Sequence, residues 1–306
     1  MRTVYLGTSE FAGAVLHQLA DSPHRPALVV TPPDRPRGRG RRVQPPPVAA
    51  LARELELELL QTADVNAPEA VTAIRRAQPE LGAICAFGQL IREPLLTAPG
   101  FLNVHPSLLP RWRGAAPIER AILAGDSGTG VSIMRLTEGL DSGPVALTEP
   151  VGIDPGEDSG ALAARLAELG GELLVQAFDL AARGALELRE QDDAAATYAE
   201  KIDPAERRLD PGRPAAELER AVRALSPQIG AYLELDGGER LGVRAAAAEP
   251  GGGLAPGEVA VEDGRLAVGC AEGALRLDVV QPAGGRPMPA ADYLLGHPPP
   301  RIVPPR

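Results

Sequence analysis

Residues 3–31 constrain the fold most. Thr3 to Leu6 reads as a buried strand that stops at Gly7. Thr8 or Ser9 can cap a helix, and Phe11, Val15, Leu16 and Leu19 then recur at helical spacing. Ala27 to Thr31 is a second strand. Strand, glycine turn, capped helix and strand form a βαβ unit, and such a unit commits the chain to a parallel sheet. The turn reads GTSEFAG rather than G-x-G-x-x-G. A dinucleotide fingerprint is therefore absent, which argues against a nicotinamide-dependent dehydrogenase.

The pattern continues in the same grammar. Val48 to Leu57 and Glu69 to Arg76 read as helices, with Glu58 to Gln61 a short strand between them. Leu81 to Ala86 is a near-continuous apolar run, as expected for the centre of a parallel sheet. Phe87 and Gly88 break it at the strand's carboxyl end, the edge where open α/β sheets bind ligands. Leu102 to His105 is the next strand. Pro117 to Ala124 is a helix opened by proline. Gly130 to Leu136 and Gly143 to Val151 make an antiparallel pair around EGLDSG, and Asp158 to Ala182 is a long amphipathic helix. Beyond a polar connector the pattern changes: a helix over Ala215 to Leu225, then short strands separated by Asp-Gly turns, which predict a small OB-like β-barrel. With 306 residues there is room for two cores. The expected domains are 1–188, a linker 189–203, and 204–306. The fold class expected is α/β, a Rossmann-like parallel-sheet domain followed by the small barrel.

Pro32 to Pro47, PPDRPRGRGRRVQPPP, carries five arginines between Arg35 and Arg42. Its prolines and glycines predict a long loop with neither packed helix nor packed strand. It reads either as a solvated linker or as an electropositive arm for a phosphate backbone. Composition bears on that choice. Lys201 is the single lysine, so arginine is the chain's default cation and arginine counts carry less weight. The net charge of −10 argues against nucleic-acid binding over the whole surface and leaves room for a local basic patch. Cys85 and Cys270 lie far apart in apolar surroundings, as buried free thiols would. No signal-peptide core and no run of 18 apolar residues occurs, which predicts a cytoplasmic, soluble protein.

Chemistry concentrates in FLNVHPSLLPRWRGAAPI, Phe101 to Ile118. Period-two spacing puts Asn103 and His105 on one face of a strand. A core strand has little use for an amide and an imidazole there. An amide N–H can donate to a carbonyl oxygen that becomes an oxyanion. A histidine beside an acid such as Asp141 has its protonated form favoured and can polarise a carbonyl or shuttle a proton. Asn103, His105 and Asp141 together suit acyl transfer through a tetrahedral intermediate, with an amine attacking directly. Each residue alone also has a purely structural reading: a hydrogen-bonded core histidine, an Asx-capped turn. Ser107 lacks the G-x-S-x-G surroundings of a hydrolase nucleophile. His17, His24 and His105 lack the spacing of metal ligands.

These segments resemble the 10-formyltetrahydrofolate-dependent formyltransferase family, and within it the branch acting on methionyl-tRNA. The likeness is carried by YLGTSEFA, PDRPRGRGRRVQPPPV, AFGQLI, NVHPSLLPRWRGAAPI, GVSIMRLTEGLDSG and TYAEKI, in that order over residues 1 to about 203. The resemblance implies a catalytic set of Asn103, His105 and Asp141. It implies folate contacts from Ser107, Leu108, Leu109, Pro110, Phe87 and Gly88, and tRNA contacts from Arg39, then Arg41 and Arg42. The co-substrate would be 10-formyltetrahydrofolate, with no metal. The partner would be initiator Met-tRNA, the protein a monomer, and the role translation initiation. A nucleotide-sugar formyltransferase would keep the same three residues, but would need neither the arginine loop nor the second domain. Two departures bear on the second domain. Residues 204–306 hold 14 acidic residues and 12 arginines, near neutrality where the family's tRNA channel is basic, and LSPQIGAYLEL departs from the usual family form, which has a proline and a tryptophan near these positions.

Overall fold

The computed structural model describes residues 1–37 and 42–303. Contacts divide the chain into two compact units. The first comprises Met1–Pro117, Gly128–Gly152 and Ala163–Ala199, and the second comprises Ile118–Ser127, Ile153–Leu162 and Glu200–Arg306.

In chain order the elements up to residue 199 are β1 (Thr3–Gly7), α1 (Glu10–Ala20), β2 (Pro26–Thr31), β3 (Arg35–Arg37), β4 (Arg42–Gln44), α2 (Pro47–Glu54), β5 (Leu59–Gln61), α3 (Pro68–Arg76), β6 (Leu81–Cys85), β7 (Phe101–His105), β8 (Arg113–Gly114), α4 (Pro117–Ala124), β9 (Gly128–Arg135), β10 (Val145–Gly152), α5 (Ser159–Ala182) and β11 (Tyr198–Ala199). Ser9 caps α1, its hydroxyl accepting from the Ala12 N–H at 3.2 Å. Seven strands form one sheet in the order β10-β9-β7-β6-β1-β2-β5. From β7 to β5 every pairing is parallel. β9 runs antiparallel to β7, and β10 antiparallel to β9. The sheet is therefore mixed, with the expected parallel core and an antiparallel edge. Successive strands are added on one side of β1 up to β5 and on its other side from β6 onwards. The boundary between β1 and β6 is the switch point at which open sheets make a crevice. Val4, Leu6, Val30, Ile74, Phe87 and Phe101 share one buried cluster. Each such side chain contributes roughly 1.5–3 kcal/mol on burial.

The arginine-rich loop differs from expectation. Its two arms pair as an antiparallel ribbon, Arg35 opposite Gln44 and Arg37 opposite Arg42. Three-residue arms can pair without a core, because the ladder needs only backbone groups.

The second unit carries α6 (Ala215–Leu225), β12 (Ala231–Glu234), β13 (Arg240–Glu249), β14 (Val259–Glu262), β15 (Arg265–Gly269), β16 (Ala274–Gln281), β17 (Met288–Pro289) and α7 (Ala290–Gly296). Its sheet order is β12-β13-β16-β15-β14, with β17 beside β16, and the strand pairs are antiparallel. Leu218, Val222 and Leu225 of α6 pack on Leu233, Val243, Leu266, Leu275 and Val280, joined by Tyr293 of α7. Among the described residues, no helix is long and apolar enough to cross a membrane.

Candidate active site

β7 ends at His105 between β6 and β9, with Asn103 opposite Ile84 on one side and Met134 on the other. Alternation along the strand gives Asn103 and His105 the same face. His105 is almost wholly buried and Asn103 partly so.

Asp141 meets both. Its Oδ1 accepts from Asn103 Nδ2 at 3.4 Å, and its Oδ2 lies 3.7 Å from His105 Nδ1. The other ring nitrogen, His105 Nε2, lies 2.9 Å from the Trp112 carbonyl oxygen. A carbonyl can only accept, so Nε2 carries a proton and Nδ1 is the nitrogen turned to Asp141. The three residues expected to act together therefore converge. Asp141 is only 14% exposed and must be held from several sides. The Gly114 N–H donates to its Oδ2 at 2.9 Å.

The backbone around these groups is tightly specified. Asp141 has φ 45° and Trp112 φ 62°, the left-handed region that costs a side chain roughly 1 kcal/mol or more. Gly114 has φ +124°, and a Cβ there would sit 2.7 Å from the Ala199 carbonyl oxygen. The approach is close because β8 pairs with β11. Gly143 packs its Cα against the Arg135 carbonyl, with no room for a side chain.

The remaining expected residues have diverse placements. Ser107 is fully buried, and its hydroxyl donates to the Arg111 carbonyl at 2.6 Å. It ties the 107–111 turn and presents no surface to a ligand. Leu108, Leu109 and Pro110 are part-exposed. Ser132 braces them from β9: its hydroxyl donates to the Ser107 carbonyl at 2.7 Å and accepts from the Leu109 N–H at 3.1 Å. Phe87 packs in the core cluster, whereas Gly88 is exposed with φ +78°. Arg42 is exposed on β4. Arg39 and Arg41 lie outside the described residues.

Sequence reasoning missed a second layer. Gln191, in the polar connector, donates from Nε2 to the carbonyls of Asp141 at 2.9 Å and Gly143 at 2.7 Å. Its Oε1 accepts from Arg113 Nε at 3.0 Å and Nη2 at 2.9 Å. Arg113, only 4% exposed, also pairs with Asp193 at 2.7 Å. Thr197 completes the brace: its hydroxyl accepts from the Trp112 N–H at 2.9 Å, and its carbonyl from the Arg113 N–H at 2.9 Å. The one signal for this layer was that TYAEKI and RWRG both fall within the family-like segments.

A family model described as Formyl transferase matches residues 1–178, and one for the formyl transferase C-terminal domain matches residues 201–298. The chain is 45% identical over 309 residues to the methionyl-tRNA formyltransferase of Halorhodospira halophila, across 99% of this chain and 97% of that one. It is 42% identical over 299 residues to the methionyl-tRNA formyltransferase of Methylococcus capsulatus, across 97% of each. The crystal structure of HypX from Aquifex aeolicus in complex with tetrahydrofolic acid superposes with a TM-score of 0.65, over 96% of this chain and 47% of that one. At 20% identity that likeness concerns the fold.

Proposed function

The chain belongs to the methionyl-tRNA formyltransferase family, and on that premise we propose that it moves the formyl group of 10-formyltetrahydrofolate to the α-amine of methionine on initiator tRNA. The observation that carries this reading is the convergence of Asn103, His105 and Asp141 at the end of β7, in a chain alike to such enzymes from end to end.

The donor set fits a folate carrying a formyl amide. Asn103 offers an N–H to a carbonyl oxygen, and Leu108, Leu109 and Pro110 offer apolar, part-exposed surface for a planar ring. When bound, the folate supplies the formyl carbon and a nitrogen leaving group. Asn103 Nδ2, with one N–H beyond the bond to Asp141, stabilises the charge that develops on the formyl oxygen. His105 Nδ1 takes a proton from the attacking amine and returns it towards the leaving nitrogen. The Asp141 carboxylate, 3.7 Å away, offsets the imidazolium charge formed in passing. The Trp112 carbonyl keeps the ring in the orientation this needs. These steps call on no metal ion. Ser107 serves the pocket by holding the turn that presents Leu108 to Pro110.

Arg42 on the exposed ribbon, together with Arg39 and Arg41, serves the tRNA phosphates. The enzyme acts as a cytoplasmic monomer in translation initiation. The test is direct: purified protein and 10-formyltetrahydrofolate are offered Met-tRNA of initiator or elongator type or, separately, an amino-sugar nucleotide, with the formylated product read by mass spectrometry. Formylation of initiator Met-tRNA is expected. Formylation of an amino-sugar nucleotide instead would overturn the acceptor assignment, and no formylation of either would overturn the reading whole.

A further inference from the structure

We infer that Gln191 is a positioning residue for formyl transfer: it sets the Asp141 carboxylate against Asn103 and His105, and Arg113 fixes it in that task. The inference rests on the role given to Asp141 above. Its observations are separate from those that identified Asp141.

Every hydrogen-bonding site of the Gln191 amide that the geometry resolves is spent on this task. The two Nε2 donors go to the carbonyls of residues 141 and 143, so they bracket the backbone on both sides of Ser142. The Asp141 backbone sits in the left-handed region, φ 45°, a conformation that persists only when the surroundings over-determine it. An amide can donate to two carbonyls at once; a carboxylate cannot donate at all. The choice of glutamine is therefore chemical. Orientation is also decided: Oε1 takes two N–H groups from the rigid Arg113 fork, so the amide cannot flip without setting N–H against N–H. Arg113 is itself immobilised by burial and by Asp193. Its neighbour Gly114 donates to the Asp141 carboxylate. Gln191 thus holds the backbone of Asp141 while the residue after Arg113 holds its side chain. One brace fixes both ends of the same residue. The hydrogen bonds of Gln191 go to Asp141, Gly143 and Arg113 and not to His105 or Asn103, so its effect on the reacting groups must pass through Asp141.

That last point supplies the test. Gln191→Ala removes the amide, and Gln191→Glu keeps an acceptor for Arg113 but turns an oxygen towards the two carbonyls. Single-turnover formyl transfer is measured for each in the otherwise native chain and in Asp141→Asn, alongside KM for folate and tRNA and the melting temperature. In the native chain each substitution is expected to lower the rate roughly 10- to 100-fold, the cost of misplacing a reacting group by about 1 Å, with both KM values unchanged. In Asp141→Asn the same substitutions should change the residual rate by less than about twofold, because residues acting as one unit are not additive. An equal loss in both backgrounds would mean a merely structural role and would overturn the inference, as would Gln191 variants with native rates. Native turnover in Asp141→Asn alone would instead overturn the role of Asp141 and, with it, that of Gln191. Because Gln191→Glu retains the Arg113 bonds, the test survives a Gln191→Ala chain that does not fold.

Discussion

The Gly114 N–H donates to Asp141 Oδ2 at 2.9 Å, the same oxygen that lies 3.7 Å from His105 Nδ1. One carboxylate oxygen is thus anchored by the backbone of the segment that follows Trp112, while the Trp112 carbonyl anchors the other side of the imidazole. Two adjacent stretches of main chain therefore set the distance between acid and base. Side chains at the end of a strand can swing; a carboxylate and an imidazole each tied to backbone cannot do so freely, and preorganisation of this kind is what lowers a barrier.

Gly114→Ala tests that anchoring. A Cβ would meet the Ala199 carbonyl oxygen at 2.7 Å, on a backbone with φ +124°. Relief requires the 113–114 segment to move away from β11, taking its N–H from Asp141. We expect a loss of about 1–3 kcal/mol in urea unfolding and a fall in formyl transfer larger than the fraction unfolded explains. Native stability and native rate together would mean that the N–H bond to Asp141 is incidental.

The arginine ribbon makes a different prediction. Replacing Arg39, Arg41 and Arg42 with alanine should raise KM for tRNA and leave KM for folate alone. It should also reduce the slope of log affinity against log salt by roughly 0.9 for each phosphate no longer neutralised. An unchanged slope would return the segment to the solvated linker that composition also allowed.

Stability should carry an acid-sensitive contribution from the second unit. The Arg120 guanidinium grips Glu206 at 2.6 and 2.9 Å. This bond, aided by the Asp203 N–H, holds the Glu206 carboxyl below its ordinary 4.5. A folded-state value below the unfolded one gives stability that is present above about pH 4.5 and lost as pH falls through the lowered value. Glu206 is partly exposed, so solvent screening limits the effect to about 1 kcal/mol or less. Glu206→Gln should unfold at lower urea than the native chain at pH 7 and at nearly the same urea at pH 3. A gap of the same size at pH 3 would contradict the assignment of this stability to the Glu206 charge.

How much of this was legible before the structure depended on what kind of bond each feature used. Side-chain alternation in NVH announced the shared face of Asn103 and His105, because a strand has a period. Asp141 was legible as an acid in a tight turn. Gln191 and Arg113 were not: the Gln191 bonds join a side chain to backbone carbonyls 48 and 50 residues away, which leaves no period or spacing behind, and in a chain with one lysine another arginine draws no notice. The connector 189–203 looked like punctuation because it is polar, yet Thr197 and Ala199 pair with the Trp112–Ala116 backbone. Helix α2 stops at Glu54, short of the Leu57 expected, because Glu56 turns into the left-handed region at φ 54°. Strand β13 runs from Arg240 to Glu249, longer than the short strands expected of this region, because partners in β16 pair with alanines of low strand propensity. Helix α7 is only seven residues long and too brief for its periodicity to register.

The most direct measurement is the single-turnover rate of formyl transfer to initiator Met-tRNA by Asp141→Asn, at saturating folate and tRNA, in a chain whose melting matches the native one. Asparagine keeps the shape and an acceptor for Gly114 but removes the charge opposite His105 Nδ1. We expect the rate to fall by roughly 100-fold or more, with KM for both substrates little changed. A folded Asp141→Asn that retains most of the native rate would contradict the assignment of Asn103, His105 and Asp141 as the catalytic set.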